Sequence, residues 1–299
     1  MCNINIILNL AGQEKPEIAQ AMNSMSFMSW QGNHDGEGYI ALNKSGFISC
    51  KSEKKLKYSI GCYFISSHQR FSTSGKKDSG NAHPHSTKHL EVQHNGIFSG
   101  LGNGVRSDTA EFAGMLEKAY VKNQKDIKKA IREVCKEVSG SYSVVVYEKN
   151  TEKVFYFKDS NTSMHFIKDK SYLVMSTSRS NVEFAKWFLD LKGKIKAVKP
   201  HKIFDVLRGL EPVSNFKEKR KVCSNIQFEG YNFQDSKQSN FTGSDWSSDL
   251  WGEGDVDLAQ KCECGHDRKT HQFAYTSQPT MCNVKDCACY KFKAKEVTR

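Results

Sequence analysis

The chain has 299 residues, 44 Lys and Arg against 33 Asp and Glu, a formal charge of +11, and 38% hydrophobic and 11% aromatic content. That is enough apolar material for a core, and the length allows one domain of about 200 residues plus extras. No apolar run approaches the ~18 residues of a membrane span, and the short apolar N-terminal stretch has no basic residues before it, so neither a membrane partner nor a signal peptide is expected. Of the ten cysteines, five bunch between Cys262 and Cys289. That pattern argues for a reducing, cytoplasmic setting with a metal site rather than a disulfide framework.

Cys2 stands directly behind Met1, at the head of the apolar run Ile4 to Leu10, which reads as a strand over 3–10. If Met1 is removed, one residue carries both a thiol and a free α-amine. The amine, with a pKa of about 8, can take the thiol proton directly or through a water. A helix is expected over 16–29, opening at Pro16 with Glu17 in its first turn. Short strands follow at 38–43, 46–50 and 60–66. The stretch 67–107 is rich in Gly, Ser, His and Asn and reads as loops carrying a site.

Asp108 is expected to cap a helix to about Asn123, with Phe112, Met115, Leu116 and Ala119 on one face. A second helix runs over 126–138. Strands at 141–148, 153–158, 163–168 and 171–177, a helix near 181–190 and strands near 194–198 and 202–207 complete the unit. Many strands with a few paired helices point to an α+β fold in which two sheets pack face to face under helices. Lysines and arginines crowd residues 186–222. A solvated face is the simplest reading, and approach to nucleic acid or an acidic partner is the other.

Four stretches suit the chemistry of a terminal thiol. In His68-Gln69-Arg70-Phe71-Ser72-Thr73-Ser74-Gly75, an arginine precedes small hydroxyl residues, a concave anion site in which Arg70 can grip a carboxylate with two parallel bonds. Asn81-Ala82-His83-Pro84-His85 is a rigid polar loop. In His94-Asn95-Gly96 an amide side chain and the next backbone N–H can converge on one oxyanion. In Ser107-Asp108-Thr109 a carboxylate at a helix start can grip an ammonium.

In this order after an N-terminal cysteine, these motifs resemble the class II, or N-terminal-nucleophile (Ntn), glutamine amidotransferases over roughly residues 2–210. The resemblance implies a four-layer αββα sandwich. It implies Cys2 as nucleophile, Asn95 and Gly96 as oxyanion hole, Arg70 on the α-carboxylate of L-glutamine, Asp108 on its α-amino group, and Thr73 and His94 in the substrate pocket. Asn33-His34-Asp35-Gly36-Glu37-Gly38 resembles the family's Asp-Gly-x-Gly segment beneath the site. Two departures stand out: Asn3 replaces the glycine often found after the nucleophile, and the interval from Asn95 to Asp108 is short. No phosphate loop or nucleotide motif follows residue 210, so the ammonia acceptor is expected to be a synthetase or modifying enzyme in another chain. The alternatives are an amidohydrolase of the same type acting on another amide or γ-glutamyl compound, and a zinc-containing nucleic-acid-binding protein built on an amidotransferase-like scaffold.

Residues 211–261, rich toward the end in Ser, Asn, Asp and Gly, read as a linker. Residues 262–292 read as a small zinc module, with ligands drawn from Cys262, Cys264, His271, Cys282, Cys287 and Cys289 and His266 as a turn residue. Soft Cys and His ligands at this spacing suit tetrahedral zinc, and so small a module depends on metal for its fold. Its lysines and arginines leave protein docking and nucleic-acid contact both open. No cofactor is expected for glutamine hydrolysis itself.

Overall fold

The computed structural model describes residues 2–218, all within one structural unit, Met1–Cys223. The Cys/His cluster at 262–289 lies outside the described residues.

The first strand, β1 (Asn3–Asn9), is wholly buried. It sits between β4 (Phe64–Gln69) and β10 (Tyr172–Ser176), antiparallel to both. With β2 (Glu37–Asn43), β3 (Gly46–Ser52), β9 (His165–Lys168) and β11 (Lys196–Ala197) they form a seven-stranded sheet, ordered β11-β9-β10-β1-β4-β2-β3. A six-stranded sheet has the order β13-β12-β8-β7-β6-β5, from β5 (His85–Ser86), β6 (Leu90–Phe98), β7 (Gly140–Glu148), β8 (Lys153–Lys158), β12 (Lys202–Asp205) and β13 (Glu211–Asn215). Every strand pairing recorded among the described residues is antiparallel.

Side-chain alternation gives each sheet two apolar faces, and three cores follow. Ile4, Ile6 and Phe64 meet Val145, Val154 and Tyr156 between the sheets. Helix α1 (Pro16–Trp30) sends Ile18, Met22 and Met25, at helical spacing, onto the outer face of the first sheet, joined there by Val182 and Ala185 of α4 (Arg179–Phe188). Helices α2 (Asp108–Lys122) and α3 (Ile127–Glu137) cover the second sheet through Phe112, Leu116, Ile131 and Val134. The layers therefore run helices, sheet, sheet, helices. Among the described residues no helix is long and apolar enough to cross a membrane, and Cys2, Cys50, Cys62 and Cys135 are all free.

Four details differ from the sequence expectation. β4 runs to Gln69 rather than ending near residue 66, because its polar residues find partners inside: Ser66 Oγ donates to Gln93 Oε1 at 2.5 Å and Gln69 Nε2 to Glu37 Oε1 at 2.9 Å. The stretch read as loops contains β6, nine residues long. Ser107, not Asp108, caps α2, accepting from the Ala110 N–H at 3.2 Å. The stretch read as linker from 211 begins with β13, paired to β12, and Phe216 behind it is buried in the outer core.

Candidate active site

The register of β1 on β4 pairs Asn3 with Gln69, so one step further along the ladder Cys2 stands opposite Arg70. The half-buried Cys2 thiol lies 3.3 Å from both the carbonyl oxygen and the N–H nitrogen of Phe71, donating to the first and accepting from the second. Burial pushes the thiol pKa up; the Phe71 N–H and the positive charges nearby, Arg70 among them, pull against it without overcoming it. A neutral thiol here needs a base before it can attack.

Arg70 is buried, and its guanidinium donates to Lys76 O at 2.9 Å, Ser72 Oγ at 3.0 Å and Ser74 O at 2.7 Å. These bonds fold residues 71–76 around the cation and still leave N–H donors over. Asp35 fixes the other side of the loop, accepting from the Ser72 N–H at 2.9 Å and pairing with Lys77 at 2.9 Å. Behind Arg70, buried Glu37 receives Tyr58 OH at 2.6 Å, Leu56 N–H at 2.6 Å, Gln69 Nε2 at 2.9 Å and the Ser26 hydroxyl. Gln69 in turn accepts from Asn5 Nδ2 at 2.9 Å, tying the arginine strand to the cysteine strand. Asn3 accepts from Thr177 Oγ1 at 2.6 Å, which anchors the residue after the cysteine to the end of β10.

The second sheet supplies the opposite wall. Gly96 has φ +139°, and a Cβ there would fall 1.9 Å from Ser141 O, so only glycine fits. His94 stacks on Phe98 at 4.2 Å and meets Thr109 Oγ1 through Nδ1 at 2.9 Å. Asp108, buried in the first turn of α2, accepts from Phe98 N–H at 2.8 Å, Thr109 N–H at 2.8 Å and Ser74 Oγ at 3.3 Å.

Cys2, Arg70, Thr73, His94, Gly96 and Asp108 thus line one pocket. Asn95, between His94 and Gly96 on the same strand, is buried next to this pocket; it is not among the lining residues, and its Oδ1 has no hydrogen-bond partner among the described residues. The pocket shares Thr73 and Ser74 with a cleft of about 480 Å³ between the 72–75 and 101–104 loops.

Ser74 and His83 are among the lining residues that had no assigned role in the sequence. Ser74 bridges the cation and the anion, giving its carbonyl to Arg70 and its hydroxyl to Asp108, whose own N–H returns a bond at 3.1 Å. His83 lies among three other imidazoles, with ring centroids 3.8 Å from His68 and 4.9 Å from His85. Burial is the main reason His68 and His85 are lowered to about 3, His94 to about 4, and His83 well below the ordinary range. Among the described residues no group of three or more His, Cys, Asp or Glu side chains is arranged to hold a metal ion.

Over 132 residues the chain is 33% identical to glutamine–fructose-6-phosphate aminotransferase (isomerizing) of Thermus thermophilus, covering 40% of this chain and 21% of the relative. It is 25% identical over 207 residues to the enzyme of the same name from Helicobacter pylori, covering 64% and 32%. The chain therefore spans between about a fifth and a third of the length of these curated relatives. Among solved structures, glutamine phosphoribosylpyrophosphate amidotransferase from B. subtilis, with ADP and GMP, superposes with a TM-score of 0.54 at 14% identity, over 71% of this chain and 49% of that one. A structure described as the allosteric regulatory enzyme of purine biosynthesis gives 0.53 at 15%, with the same coverage. These two likenesses concern the fold alone. No family model matches the chain.

Proposed function

From its resemblance to class II glutamine amidotransferases, in sequence and in fold, we propose that this chain hydrolyses the side-chain amide of glutamine and supplies the ammonia to an acceptor enzyme in another chain. The observation that carries the reading is the pocket in which a thiol, an arginine and an aspartate from three separate stretches face the same small space. A cation and a carboxylate bridged by Ser74 suit the two charged ends of a free amino acid.

In this reading, removal of Met1 frees the α-amine of Cys2, which takes the thiol proton. Sγ attacks the amide carbon, and Gly96 N–H and the Asn95 amide stabilise the oxyanion. The proton passes to the amide nitrogen, which leaves as ammonia. Water then cleaves the γ-glutamyl thioester and releases glutamate. Arg70 holds the α-carboxylate and Asp108 the α-ammonium, with Thr73 and His94 shaping the pocket between them. In the four-layer arrangement αββα, the start of β1, the end of β4 and the C-terminal half of β6 meet at this pocket.

The relatives' names include an aminotransfer to fructose 6-phosphate, and this chain matches only a fraction of their length. An acceptor enzyme in another chain is part of the proposal. On donor chemistry alone, we assign structural zinc to the Cys/His cluster at 262–289. Intact-mass analysis of the full chain, with glutamate release from glutamine, tests the reading. A Met-free terminus and stoichiometric glutamate and ammonia support it; a retained Met1 with no release rejects it. Metal analysis of the same sample reads the zinc content.

A further inference from the structure

His83 is 3% exposed and lines the pocket beside Cys2. Neither of its ring nitrogens has a hydrogen-bond partner among the described residues. Its neighbours are each anchored through one nitrogen: His68 Nε2 to His94 O at 2.9 Å, His85 Nε2 to Ser107 Oγ at 2.9 Å, and His94 Nδ1 to Thr109 Oγ1 at 2.9 Å. A buried polar atom without a partner costs free energy unless a ligand supplies one. Burial and the surrounding imidazoles keep the ring neutral, so it always presents one acceptor and one donor nitrogen.

The reaction leaves one requirement unmatched. Arg70 and Asp108 take the charged ends of the amino acid, and Gly96 with Asn95 takes the oxyanion. The remaining polar group of the substrate is the amide nitrogen, whose two hydrogens are donors. When it leaves, water enters at the same position on the carbonyl carbon, again as a donor. An acceptor is what that position needs.

We infer that His83 accepts a hydrogen bond from the leaving amide nitrogen of the substrate, and thereby selects amides over esters at this site; the inference rests on the glutamine reading above. In the first step the S–C bond forms, the C–N bond breaks and the thiol proton departs on ammonia. In the second, the O–C bond from water forms, C–S breaks and one water proton returns to sulfur. His83 neither gains nor loses a proton in either step.

The test compares kcat/KM of the full-length protein on glutamine and on glutamate γ-methyl ester, whose leaving oxygen carries no hydrogen. His83→Phe fills the space between His68 and His85 without an acceptor. It should lower kcat/KM on glutamine about tenfold and change the ester by less than about twofold. His83→Met replaces it should the Phe variant not fold, and His83→Gln, with a carbonyl acceptor, should recover part of the amide preference. Equal losses on both substrates, or no loss on either, overturn the inference. A wild-type protein inert on both substrates removes the glutamine reading itself.

Discussion

The buried imidazoles make the fold sensitive to mild acid. In the folded chain His68 and His85 titrate near 3 and His94 near 4, against 6.5 for an unperturbed ring, chiefly because burial penalises the charged form. A depressed histidine pKa means that below 6.5 the unfolded chain takes up protons that the folded chain refuses. Stability is therefore full above that value and falls with pH until the folded rings protonate as well. Linkage gives a loss of about 2 kcal/mol per ring between about pH 7 and pH 5, hence about 6 kcal/mol for these three. His83 adds to it in the same direction. Against a domain stability of about 5–15 kcal/mol, that is decisive. Urea unfolding across this range should show a midpoint that is flat above about pH 7.5 and then drops steeply, with about three to four protons taken up on unfolding near pH 5. His85→Gln, whose amide can keep the bond to Ser107, should reduce the uptake by about one proton. Equal unfolding free energies at pH 7 and pH 5 would refute the reasoning.

Gly96→Ala should lose glutaminase activity by at least about a hundredfold and melt earlier, because the new methyl falls on Ser141 O; activity within about twofold of wild type would contradict this. Arg70→Lys loses the fork that gathers Ser72, Ser74 and Lys76. Its KM for glutamine should rise about tenfold or more, with a smaller change in kcat, and initial-rate kinetics would show an unchanged KM if the arginine does not bind substrate. Glu37→Gln sets an amide among the donors of Tyr58, Leu56 and Gln69. It should cost about 3 kcal/mol in denaturant unfolding, and a loss under about 0.5 kcal/mol would show that the buried carboxylate is not needed.

Much of this was legible because helices and amphipathic strands announce themselves by period. The helices at 16–29 and 126–138 and the strands from 141 to 177 lie within a few residues of α1, α3 and β7 to β10. Polar strands were not legible. Ser66 to Gln69, Gln93 and His94 break the apolar pattern, yet they are buried, each with a side-chain hydrogen bond to another element. The capping shift from Asp108 to Ser107 has a similar origin. Two adjacent residues can cap, and the Phe98 N–H draws the Asp108 carboxylate away from the helix end. The pocket residues stood out as motifs, but that they share one space depends on pairing residues far apart in sequence, which β1 and β4 do directly. His83 stood out only as part of a polar loop; the role inferred for it depends on residues far apart in sequence, since its ring lies tilted against that of His68 in β4 at 3.8 Å.

Glutamate release from glutamine by the wild-type protein and by Cys2→Ala, both with Met1 removed and matched for melting temperature, addresses the nucleophile most directly. Abolished release in the alanine protein, together with a γ-glutamyl adduct trapped on Cys2 in the wild type, is the expected result. Equal release by both proteins would mean that the sulfur at the head of β1 is not what attacks the amide.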